Sequence, residues 1–167
     1  VTAEEAMFRG WLQRVLVRHW QIPIGLTVSA AAFTAIHLLG GARAPLSLLN
    51  IWLAGLFFGV LALRSGGLLA PIAAHGMWNW LERSVAGLDP NPGLDPAGAL
   101  FDLEAIGPAL WSGGGDGING SIAATFALAA LILLASVFPP RADGRSDRAP
   151  SRMPPASLPT SSAPPLS

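Results

Sequence analysis

The 167-residue chain has no cysteine, no tyrosine and no lysine, and only 12% of its residues are charged. Without cysteine there are no disulfides, no thiolate zinc knuckles and no thiol nucleophile, so any metal site must use His, Asp, Glu or Asn. All ten basic residues are arginines, scattered or collected near the end, and the formal net charge is zero. No basic patch offers itself to a phosphate backbone, and a nucleic-acid partner is not expected. The opening residues show no basic stretch followed by an apolar one and a cleavage site. The first residue is Val1 rather than Met, and polar Thr2, Glu4 and Glu5 open a helix, so upstream sequence is expected and the chain is expected to be an N-terminally truncated core.

What the chain has in quantity is apolar length: 51% hydrophobic residues and a mean hydropathy of +0.50. An ordinary soluble domain carries about a quarter charged residues. The expected class is all-α, a multi-pass transmembrane helical bundle. Residues 2–17 read as a helix, with Thr2 as its cap, Glu5 at capping-box spacing, and Met7, Phe8, Trp11, Leu12, Val15 and Leu16 at helical intervals. It is too polar for a lipid-facing span. Residues 22–39 and 46–63 are long apolar runs, each covering most of a ~30 Å hydrocarbon layer at ~1.5 Å per residue. In the second, Gly55 and Gly59 have small-xxx-small spacing, which permits close helix approach. Residues 68–81 form a shorter apolar segment carrying Pro71, His75 and Asn79, and 121–138 is the clearest span. Residues 89–117 are too rich in Pro, Gly and Asp to span. The domain reading is therefore a core over 1–138 and a disordered Pro/Ser/Arg-rich tail over 139–167.

Ionisable residues in membrane segments cost about 2.5–3.5 kcal/mol each on insertion scales, so they usually face a cavity or one another. Glu4, Glu5 and Arg9 lie on the first helix, His37 near the end of the second, and His75 with Asn79 on the fourth. Glu5 and Arg9 are four residues apart, as are His75 and Asn79, so each pair shares a helix face. An ion pair between Glu5 and Arg9 leaves Glu4 free to act on a water. A carboxylate base, imidazoles and a neutral amide donor are what peptide hydrolysis by activated water requires. The same groups could instead hold a divalent metal such as zinc through Glu4, His37 and His75, although no HExxH pairing fixes that geometry.

Three ordered stretches carry a resemblance: Glu4-Glu5-Ala6-Met7-Phe8-Arg9-Gly10, Phe33-Thr34-Ala35-Ile36-His37 and His75-Gly76-Met77-Trp78-Asn79. They resemble the motifs of the CPBP family, the CAAX proteases and bacteriocin-processing enzymes also called Abi, which are similar to type II CAAX prenyl endopeptidases. The likeness includes Leu63-Arg64-Ser65-Gly66-Gly67-Leu68-Leu69-Ala70-Pro71-Ile72, and Asn119-Gly120-Ser121-Ile122-Ala123-Ala124-Thr125 resembles a stretch often found in bacterial members. The resemblance implies a multi-pass protein of a bacterial cell membrane whose partners are the lipid bilayer and a membrane-associated peptide or protein, prenylated or bacteriocin-like. It implies Glu4 as the water-activating base, His37 as its partner in holding the water, and His75 with Asn79 on the oxyanion side. Glu5 and Arg9 would be supporting residues, and a metalloprotease is one form of the expectation.

Plainer readings stand beside these. EExxxR alone describes an ordinary surface i,i+4 pair, and one histidine in an apolar helix is more often a satisfied core residue than a ligand. Most of the six tryptophans lie where indole rings favour a membrane interface or a packing face. Gly113 to Gly117 reads as a flexible connection into the last span, since no Lys follows it as a phosphate loop would require. The alternative function is a non-proteolytic membrane scaffold or bacteriocin self-immunity protein that keeps the fold. A small transporter with an intramembrane carboxylate would explain the polar groups but not their three-motif order.

Overall fold

The computed structural model describes residues 1–42, 44–88 and 98–137, and among them there are helices, turns and no strand. Helix α1 (residues 2–19) is continuous, running α over Thr2–Glu5, π over Ala6–Leu12 and α again over Gln13–His19. After a break at Trp20 and Gln21 come α2 (Ile22–Leu39) and α3 (Pro45–Ser65), each opened by a proline in the first turn, where the missing N–H costs nothing. Helix α4 (residues 69–86) is α over Leu69–Trp80 and π over Leu81–Ala86. A short helix α5 (Ala109–Ser112) and a 3-10 turn (Gly114–Gly120) lead into α6 (Ile122–Val137). The expected tail over 139–167 lies outside the described residues.

Among the described residues, three segments are long and apolar enough to cross a membrane: Ile22–Leu39, Pro45–Ser65 and Gly114–Val137. The protein is an all-α membrane helical bundle with α3 at its centre, packed against α2, α4, α6 and the π turn of α1. Its inside and outside are exchanged relative to a water-soluble protein. Arg9, Gln13, Glu5, Asn50, Ser29 and Ser47 are among the largest fully buried side chains, whereas Leu39, Phe126, Leu133 and Val137 are exposed. Lipid is as apolar as leucine, so apolar side chains gain little by turning inward, while polar groups must find partners inside.

Helix α1 shows this most clearly and corrects two expectations. Met7, Trp11 and Val15, which mark the helical period in the sequence, face outward, and the buried stripe is Glu5, Phe8, Arg9 and Gln13. Thr2 does not cap the helix: the N-cap position is Val1, with no side-chain cap bond. Glu5 is drawn inward to Arg9 and His75 instead of back to the helix start.

The Gly55 and Gly59 spacing does what small residues permit. A Cβ on Gly55 would lie 3.0 Å from the Ala30 side chain of α2, and one on Gly59 would lie 2.7 Å from both Gln13 and Leu26. Because those positions are bare, α1 reaches the α3 backbone: Arg9 Nη2 donates to the Gly55 carbonyl at 3.1 Å and Gln13 Nε2 to the Gly59 carbonyl at 3.0 Å. Donors four residues apart on one helix thus meet acceptors four apart on another, and Ser29 Oγ adds a bond to the Phe8 carbonyl at 3.2 Å.

The connection before α6 is also more specific than its composition suggests. Gly113 has φ +83°, and a Cβ there would overlap the Gly117 carbonyl oxygen at 1.6 Å, so the turn is a close backbone contact that only glycine can make. Asp116 within it accepts from the Ala44 N–H at 3.3 Å, at the N-terminus of α3. The stretch read as a flexible connection is a compact turn seated on the central helix.

Candidate active site

Three helices, α1, α2 and α4, carry the chemistry-bearing residues. Glu4, His37, His75 and Asn79 all line one cavity of about 460 Å³, walled by α3 and α4 and closed by residues of the last turn and α6. Every residue singled out as catalytic from the sequence therefore borders the same space. Glu5 and Arg9 lie behind it.

The centre of the supporting structure is the Glu5 carboxylate. Its Oε1 accepts from Arg9 Nη1 at 2.9 Å and from His75 Nδ1 at 2.8 Å, with Glu5 and Arg9 at 0% and 1% exposure. Its other oxygen, Oε2, is buried and has no hydrogen-bond partner among the described residues. The sequence reading gave Glu5 one partner, Arg9; the structure gives it a second task, fixing the His75 ring. Arg9 is enclosed by aromatic faces, with its guanidinium carbon 4.3 Å from the Phe33 centroid and 5.3 Å from that of Phe58. A buried cation is stabilised there by the ring quadrupoles, by the Gly55 carbonyl and by its counter-ion.

Both imidazoles are held by one nitrogen and present the other. An ionised carboxylate only accepts, so His75 Nδ1 carries the proton donated to Glu5, and Nε2 is left facing Glu4 Oε2 at 3.7 Å. His37 is arranged alike: its Nδ1–H donates to the Phe33 carbonyl of its own helix at 2.9 Å. Phe33 packs between them, its ring 4.5 Å from the His37 ring and 5.9 Å from that of His75, while Phe58 stacks on His75 at 4.7 Å. The separation of 3.7 Å is too long for a direct hydrogen bond. Glu4 keeps 37% side-chain exposure and reaches the cavity.

This pinning of one ring nitrogen is also how metal-ligating histidines are oriented. The placement does not follow the donor chemistry, however: among the described residues no group of three His, Asp or Glu is gathered closely enough to hold a metal ion. Glu4, His37 and His75 do not fit a metal centre as arranged, and no chemical step is routed through one.

The far end of the cavity was not foreseen. Glu82 lines it at 6% exposure and accepts from Asn119 Nδ2 at 2.7 Å. Asn50 Nδ2 donates to the carbonyls of Asn119 and Ser121 at 2.8 and 2.9 Å, and Thr125 Oγ1 donates to Asn50 Oδ1 at 2.7 Å. Burial pushes the Glu82 carboxyl, which lies beyond the apolar run 68–81, up to about 7, with hydrogen bonds from Asn119 and Trp78 working in the opposite direction. The one available signal was Asn50, an amide in the middle of an apolar run. Trp78 is a cavity residue rather than an interfacial one, whereas Trp11, Trp20, Trp80 and Trp111 are all at least half exposed.

Residues 1–81 match the family model described as type II CAAX prenyl endopeptidase Rce1-like. No curated protein and no solved structure matches the chain.

Proposed function

We infer, from the membership of residues 1–81 in the Rce1-like family of type II CAAX prenyl endopeptidases, that this integral membrane protein is an intramembrane endopeptidase working through a water activated by Glu4. The observation that carries the reading is the facing pair of Glu4 Oε2 and His75 Nε2 across 3.7 Å at the wall of the cavity, with the His75 ring locked from behind by Glu5.

A water between those two atoms donates a hydrogen bond to each, which turns its lone pairs toward the cavity. Glu4 takes the water's proton as the oxygen attacks the scissile carbonyl carbon. The carbonyl π electrons move onto oxygen, where the neutral Asn79 amide supplies a donor for the developing charge. Collapse of the tetrahedral intermediate breaks the C–N bond, and the proton held by Glu4 passes to the leaving amine. His37 Nε2 offers a second acceptor for orienting the water. His75 can stabilise the oxyanion only when it also carries a proton on Nε2, because Nδ1–H is committed to Glu5. Arg9 pairs with Glu5 in apolar surroundings, and Glu5 keeps the ring in place.

The substrates consistent with the cavity are membrane-associated peptides, with a prenylated CAAX terminus the family's own example. The test is cleavage of a farnesylated CAAX peptide by the full-length protein in detergent, followed by mass spectrometry. Glu4→Gln should reduce turnover by about 10²–10⁴-fold, the usual worth of a general base, with the bundle's melting temperature unchanged. Undiminished cleavage would remove Glu4 from its role. Comparing membrane-protein termini between wild type and Glu4→Gln in cells then identifies the natural substrate.

A further inference from the structure

His75, Asn79 and Arg83 follow one another at four-residue intervals along α4, and all three line the cavity. Eight residues separate His75 from Arg83, roughly 12 Å at 1.5 Å per helical residue. An extended peptide spans about 10 Å in three residues, at ~3.3 Å each. The wall between the two ends is apolar, with Ile51, Ala54, Phe57, Leu128 and Leu131 facing the space.

Arg83 differs from Arg9. Among the described residues its buried Nε has no hydrogen-bond partner and no carboxylate forms an ion pair with it. Its neighbour Glu82 is occupied by Asn119. A half-buried guanidinium that lines the cavity with no carboxylate paired to it among the described residues matches the planar fork of a carboxylate.

Resting on the protease reading of the cavity, we propose that Arg83 receives the free C-terminal carboxylate of the substrate and so sets the cleaved bond three residues from the substrate's end. The apolar wall then holds the two intervening side chains, and the chain's hydrolytic groups meet the peptide bond one tripeptide length away. A C-a-a-X terminus supplies that length and that aliphatic pair. The far end of the cavity is thereby a ruler, and its anchor is a charge.

The experiment uses the full-length protein in detergent and one farnesylated CAAX peptide made both with a free C-terminal carboxylate and as the C-terminal amide. Wild type should cleave the acid with kcat/KM about tenfold or more above the amide, chiefly through KM, since a charge-assisted pair contributes about 1.5–3 kcal/mol. Arg83→Gln should lower kcat/KM for the acid about tenfold more than for the amide, and Arg83→Lys should recover part of the difference. Equal cleavage of acid and amide by wild type, or equal loss on both with Arg83→Gln, overturns the proposal and leaves the protease reading standing. Equilibrium binding to the Glu4→Gln protein separates the two ideas further. Preference for the acid that disappears in the Glu4→Gln, Arg83→Gln double variant supports the anion site even if wild type hydrolyses neither peptide. Binding abolished by an anionic-phospholipid micelle but indifferent to acid or amide assigns Arg83 to a lipid headgroup and overturns it.

Discussion

One buried carboxylate, Glu5, lies behind the cavity and another, Glu82, lines its far end, and they are stabilised in opposite ways. Glu5 faces a full counter-charge and an imidazole, with Arg9 wrapped in aromatic rings. Glu82 faces a neutral amide, itself tied to Asn50, Ser121 and Thr125 through a chain of neutral hydrogen bonds. The first arrangement holds a charge in place and aligns a ring with it. The second holds a polar group with little charge to balance, which is the less costly solution where no chemistry depends on ionisation. The Glu5 end lies within the segment that matches the family, while Glu82 and its partner Asn119 lie beyond residue 81.

The sharpest way to break this comparison is to remove the groups that carry charge. After the loss of turnover expected for Glu4→Gln, the next largest effect should come from Arg9→Ala, which strands Glu5 in the interior and should destabilise the bundle by about 3–5 kcal/mol. A fall in the melting temperature in detergent checks it; an unchanged midpoint would mean that Glu5 does not need its counter-ion. Gly59→Ala pushes a methyl into Gln13 and Leu26, and overpacking of this kind costs about 1–3 kcal/mol. Chemical denaturation in mixed micelles would show it, and a matched Gln13→Ala background should relieve part of the loss.

The smallest effect belongs to the neutral end. Since the Glu82 carboxyl is raised from its ordinary 4.5 to about 7, the folded protein holds this proton more tightly than the unfolded chain does. Its contribution to stability is therefore complete below about pH 4.5 and is lost as pH rises to about 7. Glu82→Gln should flatten that part of the stability profile while costing no more than about 1 kcal/mol at acid pH, because an amide can still accept from Asn119. A profile with the same slope in the variant would show that Glu82 titrates normally.

Much of the fold could be read from apolar run lengths. The run 22–39 is the helix Ile22–Leu39, and 46–63 lies inside Pro45–Ser65. Periodicity alone marks the first helix correctly but does not say which face is buried: Met7, Trp11 and Val15 face outward, because apolar side chains have little reason to turn inward when the surroundings are lipid. At the site, the ordered motifs pointed to Glu4, His37, His75 and Asn79, and all four border one cavity. Glu82 and Arg83 fall just past the last motif, and Asn119 lies in a stretch that only resembles one found in bacterial members, so nothing in the sequence marks these three as a site. Their place at the cavity depends on a glycine turn that carries Asn119 back over α4.

The sequence by itself determined that this is a helical membrane protein with polar residues too costly to leave facing lipid, and that Glu5 and Arg9 share a helix face. Only the tertiary structure decided that Glu5 serves two partners and that Arg9 and Gln13 reach the backbone of α3 through Gly55 and Gly59. It also decided that one cavity is lined by Glu4, His37, His75 and Asn79 together with Arg83, whose Nε has no hydrogen-bond partner among the described residues. The physical reason is range: helix-forming pattern and burial cost are properties of a few consecutive residues, whereas the partner of a buried charge is chosen by which helix crosses it.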